Sequence, residues 1–129
     1  MTVRENVRLA MDIVNQNDEE KINHVLRKVD LVGYDNRYPK ELSGGQKQRI
    51  SVARALVKDV NVILCDEPTG NLDKKTSEQV LEMLKKLSTE RLVIVVSHNM
   101  VEAETYADRI IELADGKIVL DHERSSNYS

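Results

Sequence analysis

The chain has 129 residues, enough for one domain that buries about two thirds of its unfolded surface. Its 22 acidic and 19 basic residues are interspersed and leave a net charge of −3, which excludes the basic footprint of a nucleic-acid binder. One cysteine excludes a disulfide framework and points to a reducing, intracellular compartment; no apolar run approaches the ~20 residues of a membrane span, and no signal peptide is expected.

Thr2-Val3-Arg4-Glu5 opens the chain with a capping-box pattern, and Val3, Val7, Ala10, Met11 and Val14 then share one helical face. A helix that starts almost at residue 1 is read as a chain beginning mid-fold. Asn15 to Asp18 is a polar break, with Asp18 placed to cap a second helix carrying Ile22, Val25, Leu26 and Val29, and Gly33 beyond it as a stop. Tyr34 to Pro39 is rich in turn residues.

Leu42-Ser43-Gly44-Gly45-Gln46 comes next. Two glycines without Cβ atoms let backbone N–H groups approach a phosphate closely, a helix starting near Gln46 aims its positive end there, and Ser43 adds a hydroxyl donor. A Gly-Gly turn before a helix is ordinary by itself. The helix turns Ile50, Ala53, Leu56 and Val57 towards a core, with Lys47 and Arg54 off that line, and Lys58-Asp59 closes it.

Val60 to Cys65 is almost entirely apolar and reads as a strand covered on both faces, in which Cys65 serves as a small apolar residue. Asp66 and Glu67 stand at its end. Adjacent carboxylates repel and lose hydration there, which a cation and a reacting water nearby would explain; a strand running into a polar turn is the plainer alternative. Asp73 can cap the next helix, whose buried face is Val80, Leu81, Leu84 and Leu87, so its carboxylate has a structural use beside any functional one.

Leu92 to Val96 is a second buried-strand candidate and ends at Ser97-His98. A lone histidine after a strand is ordinarily solvated or satisfied in the core, and His24 and His122 are read that way. A short helix from Asn99 to Tyr106 precedes two strands, Arg109 to Leu113 and Lys117 to Leu120, around the hairpin signal Asp115-Gly116. The polar tail from Asp121 to Ser129 is expected to fray.

Taken together, these motifs resemble the ATP-binding cassette (ABC) ATPases. Leu42 to Gln46 is similar to their signature motif, Val62 to Glu67 to the Walker B strand with its catalytic glutamate, Gly70 to Asp73 to the D-loop, and His98 to the switch histidine. The wording Asp66-Glu67-Pro68-Thr69-Gly70-Asn71-Leu72-Asp73 most resembles the branch of lipoprotein-release, macrolide-export and antimicrobial-peptide-resistance ATPases. The resemblance implies an α/β fold: a partial P-loop NTPase-type parallel sheet with a helical subdomain, lacking the P-loop strand. Residues 1–45 would be the helical subdomain ending at the signature loop, and residues 46–129 the second half of the ATPase core.

The resemblance also implies site roles. Glu67 and His98 are the expected catalytic pair, Asp66 the Mg²⁺ ligand, and Ser43, Gly44, Gly45, Gln46 and Asp73 the residues that meet ATP. No Gly-x4-Gly-Lys-Ser/Thr phosphate loop starts at any of the five glycines, so the chain is expected to be the latter part of such a domain, with weak or no ATP binding alone. The parent domain would hydrolyse ATP to drive a transporter on the cytoplasmic face of the membrane, with a permease subunit and a second ATPase domain head to tail as partners. A soluble ABC-type ATPase in translation or chromosome handling, or a catalytically inert fragment, are the alternatives. With the P-loop strand missing, the Leu92 to Val96 edge is expected to be covered by a further copy of the chain, unless the C-terminal strands slide over to fill it.

Overall fold

The computed structural model describes residues 1–12 and 15–124, which divide into two compact units, Met1–Val96 and Ser97–Ser129. The first unit opens with α1 (Val3–Ala10). The Thr2 hydroxyl accepts from the Glu5 amide at 3.2 Å while the Glu5 carboxylate accepts from the Thr2 amide at 2.9 Å, which closes the predicted capping box. Val3 and Val7 are buried as expected, whereas Val14 lies outside the described residues. In α2 (Glu19–Lys28) Asp18 is the N-cap and accepts from the Lys21 amide at 3.1 Å. Ile22, Val25 and Leu26 are buried on it, and Val29 and Leu31 continue that face into the core.

Arg4 ties these pieces together. Its guanidinium donates to Glu19 at 2.6 Å, to Asn23, and to Asp35 at 3.2 Å, and so joins α1 to α2 and to the turn before the signature segment. Isolated surface ion pairs contribute little, but one planar guanidinium serving three acceptors fixes geometry as well as charge.

After a short 3₁₀ turn (Pro39–Glu41) come α3 (Gly44–Leu56), β1 (Val62–Asp66), α4 (Lys74–Leu87) and β2 (Leu92–Val96). β1 and β2 pair in parallel, Val62 opposite Leu92 and Asp66 opposite Val96, with α4 as the crossover. Ile63 and Cys65 join Ile50, Ala53 and Leu56 of α3 and Val80, Met83 and Leu84 of α4 in one apolar cluster that also takes in Val3, Val7 and Ile22.

The expectation of a strand covered on both faces is corrected here. Only the Ile63 and Cys65 side of β1 is buried; Val62 and Leu64 are 48% and 68% exposed, and Leu92, Ile94 and Val96 are exposed on the paired positions. Successive strand side chains point to opposite faces, and the helices pack on one of them. A run of β-branched residues looks the same in sequence whether one face or both find a cover. β2 hydrogen-bonds to β1 alone among the described strands, and the C-terminal strands form a sheet of their own.

The second unit holds α5 (Met100–Tyr106), with Asn99 accepting from the Glu102 amide at 3.1 Å, and an antiparallel hairpin of β3 (Arg109–Ala114) and β4 (Lys117–Glu123). Asp115 (φ 52°) and Gly116 (φ 75°) make the turn with the two positive φ values of a type I′ hairpin. The expected fraying from Asp121 is corrected as well: Asp121, His122 and Glu123 pair with Ile111, Ile110 and Arg109. Arg109 also grips Asp121 at 2.9 and 2.7 Å, a bidentate pair that composition alone does not announce. The rest of that tail, residues 125–129, lies outside the described residues. Among the described residues no helix is long and apolar enough to cross a membrane.

Candidate functional site

α3 begins two residues earlier than the sequence suggests, at Gly44, because Ser43 caps it. The Ser43 hydroxyl accepts from the Gln46 amide at 3.2 Å, and the Gln46 side chain accepts from the Ser43 amide at 3.0 Å. Gln46 is therefore engaged in holding the cap, while the Ser43 hydroxyl keeps its proton to donate. Gly44 and Gly45 form the first turn, where backbone N–H groups lack partners within the helix and the helix dipole is positive. Ser43 and Gly44 are exposed and Gly45 is buried.

The burial of Gly45 has a specific cause. A Cβ on Gly45 would overlap the Cγ2 methyl of Thr76, and one on Gly44 would stand 2.8 Å from Leu72 Cδ2. Both neighbours belong to the turn that enters α4; the Leu72 methyl ends a flexible side chain that can turn aside, whereas the Thr76 methyl is fixed on a β-branched side chain, so it is at Gly45 that the close seating of the two turns requires the absence of a Cβ. Asp73 occupies the N-cap position of α4 without a full side-chain cap bond to the helix amides, although the Ser77 amide reaches its carbonyl at 2.9 Å. Its carboxylate is held below the ordinary carboxylate range, first by the Thr76 hydroxyl and then by nearby backbone N–H groups and Lys75, against the opposing cost of desolvation.

Asp66 and Glu67 sit together at the C-terminal end of β1, both exposed. Glu67 adopts φ 48°, the left-handed region that non-glycine residues avoid. Two backbone bonds hold it there: its amide donates to the Val96 carbonyl at 2.7 Å, and its own carbonyl accepts from the Gly70 amide at 3.1 Å. Strain of this kind at a strand end is a recurrent property of working residues. The Val96 bond also ties the acid to the strand that leads, two residues on, to Ser97-His98.

Among the described residues no group of three or more His, Cys, Asp and Glu converges as an all-protein metal cage. One exposed carboxylate at a strand end suits Mg²⁺, which keeps several waters and is usually held by one or two carboxylates together with substrate phosphates. Asp66 fits that requirement.

The structure thus brings Gly44 against Leu72 and Gly45 against Thr76, with Ser43 and Asp73 adjoining these contacts in the chain, and joins Asp66 and Glu67 on one strand end. His98 is exposed and belongs to the second unit. Two features of the site escape sequence reasoning: Thr76, whose only sign is its place three residues after an N-cap aspartate, and the backbone of Glu67, which has none.

A family model described as ABC transporter matches residues 1–70. The chain is similar to the methionine import ATP-binding protein MetN 2 of Listeria monocytogenes, at 40% identity over 124 residues that cover 92% of this chain and 36% of the relative. It is also similar to the macrolide export ATP-binding/permease protein MacB of Bartonella henselae, at 55% identity over 85 residues, 65% of this chain and 13% of the relative. Among solved structures, the dimeric ATP-binding cassette MJ0796 in a post-hydrolysis state with ADP and Pi superposes with a TM-score of 0.75 at 34% identity, covering 98% of this chain and 58% of that one. The chain therefore spans little more than half of that cassette, and about a third or less of these two curated relatives.

Proposed function

The chain belongs to the ABC transporter family, and from that premise we propose that it forms the magnesium-and-water side of an ATP-hydrolysing domain that drives a membrane permease. The observation that carries this reading is the strand end where Asp66 and a strained Glu67 stand side by side, together with the signature glycines seated on the Asp73 turn.

In this reading Asp66 would hold Mg²⁺, which when bound would supply charge neutralisation to the nucleotide phosphates. Glu67 takes a proton from the attacking water; the water oxygen bonds to the γ-phosphorus, the bond to the bridging oxygen breaks, and ADP departs with that oxygen's electron pair. His98 holds the γ-phosphate and the attacking water. Ser43, Gly44 and Gly45 donate to the γ-phosphate of a nucleotide bound by a second ATPase domain packed head to tail, with Gln46 keeping their turn in shape and Asp73 beside the same junction. The dimeric, ADP- and Pi-bound state of MJ0796 supports a two-domain arrangement. Residues 1–45 form the arm that meets the permease at the inner face of the cell membrane.

The phosphate cradle of the full site comes from residues other than these 129, which hold no Gly-x4-Gly-Lys-Ser/Thr segment. Isothermal titration of MgATP into the 129-residue chain is expected to show no micromolar binding. Heat of a saturable micromolar site would overturn the division of labour proposed here.

A companion expectation concerns association. The open β2 edge and the exposed Val62, Leu64, Leu92, Ile94 and Val96 support an oligomer in which a further copy covers the sheet. Light scattering on the isolated chain is expected to give a mass above 14.7 kDa. A monomer at every accessible concentration would remove that part of the proposal.

A further inference from the structure

Thr76 is a threonine whose two γ substituents face different partners. Its Cγ2 methyl fills the space where Gly45 lacks a Cβ, and its hydroxyl reaches the Asp73 carboxylate. Around it, the Leu72 side chain lies against Gly44, the Ser77 amide bonds to the Asp73 carbonyl at 2.9 Å, and the Ser77 hydroxyl reaches the Leu72 carbonyl at 3.5 Å. The turn from Leu72 to Ser77 and the turn from Ser43 to Gln46 are thus one packed block, although some 30 residues of chain separate them.

We propose that Thr76 is a positioning residue that couples the Asp73 carboxylate to the signature turn of the same chain, so that a change at either is felt at the other. The methyl transmits the position of α4 to Gly45, and the hydroxyl transmits the position of Asp73 to the same side chain. Close packing makes this effective, because a contact with no slack moves its neighbour instead of absorbing the displacement. The functional meaning rests on the nucleotide reading above: both turns would face the nucleotide of a partner domain, and their linkage would let them engage it as a unit. The coupling itself is a property of this chain and requires no nucleotide.

Threonine also lends itself to a clean test, since valine keeps the methyl without the hydroxyl and serine keeps the hydroxyl without the methyl. The readout is the amide NMR spectrum of the full 129-residue chain, with D73N as the perturbation and far-UV circular dichroism as the check on folding. In the wild-type background D73N is expected to displace the Gly44 and Gly45 amide signals while leaving Gly33 in place. In the T76V and T76S backgrounds the same substitution is expected to leave them unmoved, as a double-mutant cycle requires of a connecting group.

The two variants differ in a second respect. T76V is expected to raise the Asp73 pKa towards the ordinary carboxylate range, leaving hydrogen exchange at the Gln46 and Lys47 amides near the wild-type rate. T76S is expected to leave the Asp73 pKa low and to speed exchange at those capped amides by roughly fivefold to tenfold, the effect of removing one tightly packed methyl. Equal displacement of Gly44 and Gly45 by D73N in all three backgrounds, or the same Asp73 titration and the same amide exchange in T76V and T76S, would overturn the proposal. Micromolar MgATP binding by the isolated chain would instead strike at the nucleotide reading and leave the coupling untouched.

Discussion

Ile22→Ala is expected to remove about 2–5 kcal/mol of stability, the cost of emptying a fully buried aliphatic position. Ile22 is wholly inaccessible to solvent and sits in the cluster that runs from Val3 and Val7 through Ile50 and Ile63 to Leu84. Against the 5–15 kcal/mol typical of a domain, that loss is a large share of the total. Urea denaturation followed by circular dichroism is expected to show the midpoint fall in a single transition. The same experiment bears on organisation: if residues 1–45 fold apart from α3 and α4, Ile22→Ala should melt an early phase and spare the signal from those two helices. Leu9→Ala, at a mostly exposed site on α1, is the control and should stay within about 0.5 kcal/mol of the parent.

The second large effect is chemical. In an assembly that supplies the phosphate loop and turns over MgATP, Glu67→Gln is expected to lower turnover by about 10²–10⁴-fold, the usual contribution of a positioned proton acceptor. Glutamine preserves size and backbone preference but cannot take up the water's proton. Nucleotide binding should survive, so single-turnover assays and equilibrium binding together separate the two effects. Retained turnover in the glutamine variant would remove Glu67 from the proposed role. Glu67→Gly sharpens the point, because glycine adopts φ 48° without the roughly 1–2 kcal/mol that a side chain incurs there. That variant is expected to lose turnover without losing stability, as befits a residue strained for reasons other than folding.

How much of the fold the sequence discloses depends on how far apart the interacting groups lie. Thr2 with Glu5, Asp18 with Lys21 and Asp115 with Gly116 act across three residues or fewer, and each is legible as a cap or turn. The buried faces of α3 and α4 are legible for the same reason, since Ile50, Ala53, Leu56 and Val57, and Val80, Leu81, Leu84 and Leu87, repeat with the helix itself. The Arg4 clamp spans up to 31 residues, and so does the contact between Gly45 and Thr76; neither leaves a local pattern. The open face of β1 escapes the sequence because cover is decided by neighbouring layers, and the positive φ of Glu67 because an acidic side chain gives no sign of the backbone beneath it. Of the site, the residue types and their order are readable; which turns touch is not.

Cys65 lends this arrangement an internal gauge. It is the sole thiol of the chain, it is buried on the packed side of β1, and burial raises its pKa. A sulfhydryl reagent can reach it only in those moments when the strand parts from α3 and α4, so the rate of labelling counts such openings one residue away from Asp66. Any partner that clamps the sheet would slow that count, and the molecule would register its own assembly without an added probe.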